Sequence, residues 1–127
     1  MSFRTEKHDN YTVITFSTDK LDAVVAPDLK SELVLLNKNG ERNLLLDMSS
    51  VNYCDSSGLS ALLIGYRMCS QTNGSFIISS IQPAVKKLIT ISQLDSIIKS
   101  AENIVEAIDV LYEEELERNL GTEKSDD

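Results

Sequence analysis

The segment Asp55-Ser56-Ser57-Gly58 contains the residues of this sequence whose types and spacing are best suited to chemistry. It follows Tyr53-Cys54 and leads into a long apolar run. Asp55 or Ser56 can accept hydrogen bonds from the free backbone N–H groups at the start of a helix. Gly58 has no Cβ, so another backbone or a partner molecule can approach it closely. The segment therefore predicts a capped helix start that carries two serine hydroxyls.

A hydrolase would need further groups that the sequence does not supply. His8 is the only histidine, and a Ser-His-Asp mechanism would require it to reach Ser57. The nucleophile elbow of such enzymes has a glycine two residues before the serine, where this sequence has Asp55. Cys54 and Cys69 together with one histidine have no metal-ligand spacing, and no glycine-rich phosphate loop occurs. We therefore expect no enzymatic activity, no metal and no cofactor.

Strands and helices alternate along the chain after an initial hairpin. The β-branched run Thr12–Phe16 predicts a strand that pairs with residues 3–7 across a polar turn. The apolar runs Leu44-Leu45-Leu46 and Phe76-Ile77-Ile78 predict strands covered on both faces, and Ile97-Ile98 predicts a last short strand. Helices are predicted from after Asp22 to Asn37, from Asp55 to about Gln71, from Pro83 onward, and over the apolar set Ile104, Val105, Ile108, Leu111 and Tyr112.

This alternation is typical of an α/β protein. We predict one domain built on a mixed sheet of about five strands, an antiparallel hairpin followed by parallel strands, with about four helices. Sites in such sheets lie at the carboxyl ends of strands, where loops lead into helices. The serine segment lies at one such junction.

The helix that follows the serines has apolar residues on both of its sides. At 100° per residue, one side holds Leu59, Leu62, Leu63, Tyr66 and Ser70, and we expect this side to pack on the sheet. An exposed apolar strip on the other side, beside a polar helix start, is typical of a protein-binding surface. We therefore predict that a partner binds the residues Ser60, Ala61, Ile64, Arg67 and Met68.

Composition and charge limit the classes of partner. The chain has 127 residues, with 12 basic and 20 acidic side chains and a net charge of −8. This balance argues against a general binder of nucleic acids or of anionic membranes. No run of about 18 apolar residues occurs, the first residues lack the apolar core of a secretion signal, and two cysteines are too few for a disulfide scaffold. We expect a cytoplasmic protein that neither inserts into a membrane nor contacts nucleic acid directly.

Acidic residues concentrate at the C-terminus. Residues 113–127 hold seven acidic and two basic side chains. The residues from Gly121 onward are polar, a composition that predicts disorder. We therefore predict a domain over residues 1–118 and an acidic, disordered tail over residues 119–127.

The segment Asp55-Ser56-Ser57-Gly58-Leu59 with its apolar helix resembles the signature of STAS domains, in particular of bacterial anti-sigma factor antagonists. The resemblance extends to Leu21-Asp22 after the second strand, to Asn73-Gly74 before a strand, and to the Pro83–Leu88 stretch that opens the third helix. It covers about residues 3–112 and includes the order of the elements as well as the motif.

The resemblance implies a partner-switching regulator of transcription. Such an antagonist binds an anti-sigma factor that is also a serine kinase, and thereby frees the sigma factor. The kinase phosphorylates the serine directly before the motif's glycine, here Ser57, which releases the antagonist, and a metal-dependent serine phosphatase removes the phosphate. Asp22, Asp55, Ser56 and Gly58 would surround this switch. We expect a monomer or a weak dimer.

Two other classes fit parts of the pattern. A STAS domain can also serve as a subunit of another assembly, such as a lipid-transport ABC complex, where it would bind an ATPase and act structurally. A response-regulator receiver would use Asp47, which ends a predicted strand, as its phosphoacceptor, but it also needs an early acidic pair that this hairpin does not offer. The intact Ser57 beside Asp55 favours the antagonist.

Overall fold

Five strands form the central sheet of the computed structural model, which describes the backbone of residues 2–126 and the side chains of residues 2–120. The strands lie in the order β1-β2-β4-β6-β7; β1 is antiparallel to β2, and the remaining neighbours are parallel. The elements are β1 (Phe3–Lys7), β2 (Thr12–Phe16), β3 (Lys20–Leu21), α1 (Ala26–Lys38), β4 (Leu44–Asp47), β5 (Tyr53–Cys54), α2 (Ser56–Gln71), β6 (Phe76–Ser79), α3 (Pro83–Ile91), β7 (Lys99–Ala101) and α4 (Ile104–Asp126). The mixed sheet and the four helices confirm the predicted α/β fold.

The two central strands, β4 and β6, are buried on both faces, as their continuous apolar runs predict. Successive side chains of a strand point to opposite faces. Leu45 and Ile77 therefore belong to a small core under α4, together with Ala107 and Leu111. Their neighbours face the larger core that α1, α2 and α3 cover, and these neighbours are Leu44, Leu46, Phe76 and Ile78.

Helix α1 begins and ends where its sequence signals indicate. Pro27 lies in the first turn, where its missing N–H has no helical partner to lose. Gly40 has φ of +83° just beyond the helix, a backbone conformation that glycine adopts without steric cost. Four apolar residues turn inward along the helix, and these are Ala26, Leu29, Leu33 and Leu36.

A second, two-stranded sheet connects the loops in front of α1 and α2. Strands β3 and β5 run parallel, with Lys20 opposite Tyr53 and Leu21 opposite Cys54. The Asp19 carbonyl extends the ladder by accepting hydrogen bonds from the backbone N–H groups of Asn52 and Tyr53. This pair of strands could not be predicted from the sequence because two-residue strands leave no periodic pattern.

The predicted strand at Ile97-Ile98 was wrong by about two residues. A short 3-10 turn covers Leu94–Ser96, and the backbone N–H groups of Ile97 and Ile98 both hydrogen-bond to the Leu94 carbonyl. Ile98 is buried, but it lies in the segment that follows this turn and does not belong to a strand. The ladder with β6 begins only at Lys99.

Helix α4 continues past the boundary that the sequence predicted. The structure gives it as one helix over Ile104–Asp126, so the predicted boundary after residue 118 falls inside a helix. A single glycine such as Gly121 costs a helix about 1 kcal/mol without ending it. The division into a domain and a disordered tail stays a prediction. Among the described residues, no helix is both long and apolar enough to cross a membrane.

Candidate functional site

Asp55 caps helix α2. Its side chain accepts hydrogen bonds from the backbone N–H groups of Ser57 at 2.9 Å and of Gly58 at 3.1 Å. These two groups belong to the first turn, where no earlier carbonyl is available. A carboxylate at this end of a helix also interacts favourably with the helix dipole. The segment therefore forms the capped helix start that its sequence predicts.

Asp22 holds the turn that leads into α1. It accepts hydrogen bonds from the backbone N–H groups of Val24 at 3.0 Å and of Val25 at 3.2 Å, both of which precede the helix. The register of the small sheet explains why the two aspartates are neighbours: Leu21 pairs with Cys54, and each aspartate is the next residue along its chain. The structure therefore brings together the start of α1 and the start of α2, with their two aspartates.

Gly58 is required by the close approach of the chain's own backbone. A Cβ built at this position would collide with the Leu21 carbonyl oxygen and would lie 2.6 Å from Cys54 Sγ. Cβ atoms essentially never come that close to a neighbour. The sequence left open whether a backbone or a partner approaches this glycine, and the structure shows that the β3 backbone does.

The two hydroxyls of the segment differ in exposure. Ser56 is exposed and Ser57 is partly exposed. Within the described part of the chain, neither hydroxyl has a hydrogen-bond partner. Burial raises the pKa of the adjacent Cys54 thiol to about 11, and the charge of Asp55 raises it further. The thiol is therefore protonated at neutral pH and largely shielded from solvent, whereas both serines have solvent-exposed surface.

One of the predicted partner-contact residues is in the wrong place. Ala61 is fully buried, so it cannot contact a partner. The inward side of α2 consists mainly of small residues, with Ala61, Gly65 and Cys69 buried alongside Leu62. A Cβ on Gly65 would lie 2.5 Å from the Phe76 ring, so these small residues let the helix approach the sheet closely. A helical wheel that considers only large apolar residues does not identify this side as the buried one.

The other predicted contact residues lie in three environments. Ser60 and Arg67 are exposed, and Ile64 is partly exposed on the same outward side. Met68 is partly buried and packs against the larger core. Ser60, Ile64 and Arg67 therefore form the accessible part of the predicted strip, and Met68 lies at its edge.

Two exposed apolar side chains next to the helix starts were not predicted. Val24 is 80% exposed and follows Asp22 by two residues, while Tyr53 is 51% exposed in β5. Alternation along β5 could have revealed Tyr53, because its neighbour Cys54 points into the core. Val24 gave no such signal, since its loop is not periodic.

The alternative constellations are not assembled. His8 stacks on Tyr11 and contacts Glu6 at 2.8 Å, at the turn before β2. Ser57 lies at the carboxyl end of the parallel strands, which is the end of the sheet opposite His8. The residues of a Ser-His-Asp triad are therefore separated. Asp47 accepts a hydrogen bond from the Ser49 backbone. In the described residues, no group of three or more potential ligands could hold a metal ion.

Comparison with known proteins identifies the family. The sequence model of the STAS domain matches residues 2–107, which is most of the chain and includes the serine segment and every strand. The chain therefore belongs to the STAS domain family, as the resemblance indicated.

Individual relatives agree with this assignment. BtrV of Bordetella bronchiseptica, a predicted anti-sigma factor antagonist, is 31% identical over 72 residues, which are 57% of this chain and 62% of that protein. A crystal structure of a predicted anti-sigma factor antagonist from Thermotoga maritima superposes with a TM-score of 0.78 at 23% identity, covering 87% of this chain and 94% of that one. The phosphorylated form of the Bacillus cell fate determinant SpoIIAA superposes with a TM-score of 0.68 at 22% identity, covering 84% and 96%. At these identities the two structures establish a common fold.

Proposed function

We propose that this protein is an anti-sigma factor antagonist that binds an anti-sigma factor with serine kinase activity and is released when Ser57 is phosphorylated. One observation carries the proposal: the partly exposed Ser57 hydroxyl, without a partner in the described chain, lies in the first turn of α2, next to the capping Asp55 and close to the turn that Asp22 holds before α1. The names of BtrV and of the Thermotoga protein, and the phosphorylated state of SpoIIAA, support the same role.

A phosphate on Ser57 is compatible with the fold itself. It adds about −1.5 to −2 charges and three acceptor oxygens. The start of a helix favours negative charge, and the group would point away from the core. We therefore expect the phosphorylated domain to keep its structure, so the partner and not the fold would sense the modification.

The partner would sense it through charge and desolvation. The contact surface that we propose surrounds Ser57 and consists of the exposed or partly exposed residues Val24, Tyr53, Ser60, Ile64 and Arg67. Covering this surface would bury a dianion next to Asp22 and Asp55, which is costly unless a cation compensates. A loss of about 3 kcal/mol lowers the affinity about a hundredfold. We infer that the protein acts by binding and has no catalytic activity of its own.

A phosphorylation assay tests the modified residue. The full chain is incubated with the candidate anti-sigma kinase of the source organism and ATP, and the modified residue is mapped by mass spectrometry. We expect one phosphate on Ser57, none on the Ser57→Ala variant, and normal modification of Ser56→Ala. Modification at another residue, or none with an active kinase, would contradict the proposal. Either result would favour the alternative, in which the chain is a STAS subunit of a transport assembly.

A binding assay tests the switch. Ser57→Ala should bind the kinase with unchanged affinity, and Ser57→Asp should bind about tenfold or more weakly, because a carboxylate imitates part of the phosphate charge. Ser70→Asp is the matched control, since Ser70 is exposed on the same helix about three and a half turns later. Equal binding by Ser57→Asp and Ser70→Asp would count against a charge switch at this position.

We further propose that a metal-dependent serine phosphatase restores the unmodified state and that the cycle takes place in the cytoplasm. The accessible position of Ser57 supports reversal by an enzyme. Incubation of the phosphorylated chain with such a phosphatase and Mn²⁺ should return its mass to the unmodified value. Persistence of the phosphate under these conditions would contradict this part of the proposal.

A further inference from the structure

The outward side of α4 exposes a row of apolar side chains. Tyr112, Leu116 and Leu120 follow each other at four-residue spacing and are 50%, 59% and 49% exposed. Residues at this spacing are neighbours on the helix surface. The opposite side of the helix is buried against the sheet through Ala107 and Leu111. About half of each side chain in the exposed row is therefore open to another molecule.

An acidic row lies directly beside the apolar one. Asp109, Glu113 and Glu117 are all exposed and also follow each other at four-residue spacing. In the part of the chain that the structure describes, none of these three carboxylates has a hydrogen-bond or ion-pair partner. Like charges at this spacing repel one another and destabilise a helix. We call the two rows together the α4 outer face.

The charge of the α4 outer face determines which kind of molecule can bind there. A second copy of this chain would place one acidic row against another. Anionic lipid would be repelled in the same way. A helix with an apolar strip flanked by lysine or arginine would cover the first row and neutralise the second. We propose that the α4 outer face docks a basic amphipathic helix of another protein.

This surface is separate from the Ser57 site. Helix α4 covers one face of the sheet and α2 covers the other. The match to the STAS family model covers residues 2–107, and the residues of both rows follow it. The proposal does not rest on the proposed function, and phosphorylation of Ser57 should leave it unchanged.

Two synthetic peptides of about 15–20 residues test the proposal. Both form an amphipathic helix with the same leucine strip, which is flanked by lysine in one and by glutamate in the other. Each is added to the isotope-labelled full chain, and backbone amide NMR signals report where it binds. We expect the lysine peptide alone to bind, to shift signals around Leu116, and to bind more weakly as the salt concentration rises.

Variants make the test specific. Leu116→Ser should weaken binding about tenfold, the effect of losing one buried leucine contact, and Glu113→Gln with Glu117→Gln should weaken it severalfold. Ile91→Ser is the matched control, because Ile91 is 67% exposed on α3, and it should bind as the unaltered chain does. Equal binding of both peptides, unchanged affinity of Leu116→Ser, or shifts away from α4 would overturn the proposal. So would dimerisation that Leu116→Ser abolishes, which would assign the face to a second copy.

Discussion

Each aspartate of the candidate site has a structural function that is separate from any function in signalling. Asp55 holds the first turn of α2, and Asp22 holds the turn that leads into α1. The motif's acid is therefore explained by helix capping alone, and the serine is the residue that the fold does not need. Variants of the aspartates should therefore destabilise the site, whereas variants of the serine should leave it folded.

Removal of the Asp55 cap should destabilise the protein moderately. We expect Asp55→Ala to lower the free energy of unfolding by about 1 kcal/mol, because the N–H groups of Ser57 and Gly58 lose their acceptor. Asp55→Asn keeps a side-chain oxygen and should lose clearly less. Urea unfolding measures both, and an equal loss for the two variants would show that charge and not the hydrogen bonds stabilises the cap.

A methyl group at Gly58 should cost more than loss of the cap. Gly58→Ala places a Cβ against the Leu21 backbone, which a side-chain rotation cannot relieve. We expect a loss of about 1–3 kcal/mol in urea unfolding. Ser60→Ala, at an exposed position of the same helix, should change stability by less than about 0.5 kcal/mol. A neutral Gly58→Ala would mean that β3 can move away from α2.

At the scale of elements, the sequence predicted most of the fold. Strand alternation, continuous apolar runs and turn residues located the hairpin, the two buried strands β4 and β6, and the four helices, but they misplaced β7 and missed the β3–β5 pair. The inward side of α2 was not predictable from apolar size. The small residues Ala61 and Gly65 are buried on this side, and Gly65 lets the helix approach the Phe76 ring. The need for a small residue depends on the shape of the packed neighbour, which the sequence of the helix does not contain.

Two adjacent leucines of α2 show how the observed orientation of the helix differs from the predicted one. Both were expected in the core, but Leu62 is fully buried and Leu63 is partly exposed. We therefore expect Leu62→Ala to lower the free energy of unfolding by about 2–5 kcal/mol, because it leaves a cavity. Leu63→Ala should cost less than half as much in the same urea titration. Similar losses would mean that the helix is rotated in solution.

At the scale of the whole molecule, stability should decline in alkaline solution. Burial raises the pKa of the Cys69 thiol to about 12 from an ordinary value near 9. Above pH 9 the unfolded chain therefore loses the thiol proton while the folded chain retains it. The stability that this thiol contributes is present below pH 9 and is lost as the pH rises toward 12.

Urea midpoints measured between pH 8 and about 10.5 test this expectation. The midpoint should fall with rising pH, and Cys69→Ala should fall less steeply than the unaltered chain, whatever its stability at neutral pH. Ser70→Ala, next to Cys69 but exposed, should follow the unaltered chain. Parallel curves for all three proteins would show that the thiol titrates alike in both states.

The close contact between α2 and Phe76 has a consequence for how the proposed signal would act. A Cβ at Gly65 would lie 2.5 Å from the Phe76 ring, so the ring leaves α2 little room to move toward the sheet. If Ser57 is phosphorylated as we propose, the added charge would change the electrostatic surface that a partner meets, and the signal would not require α2 to move.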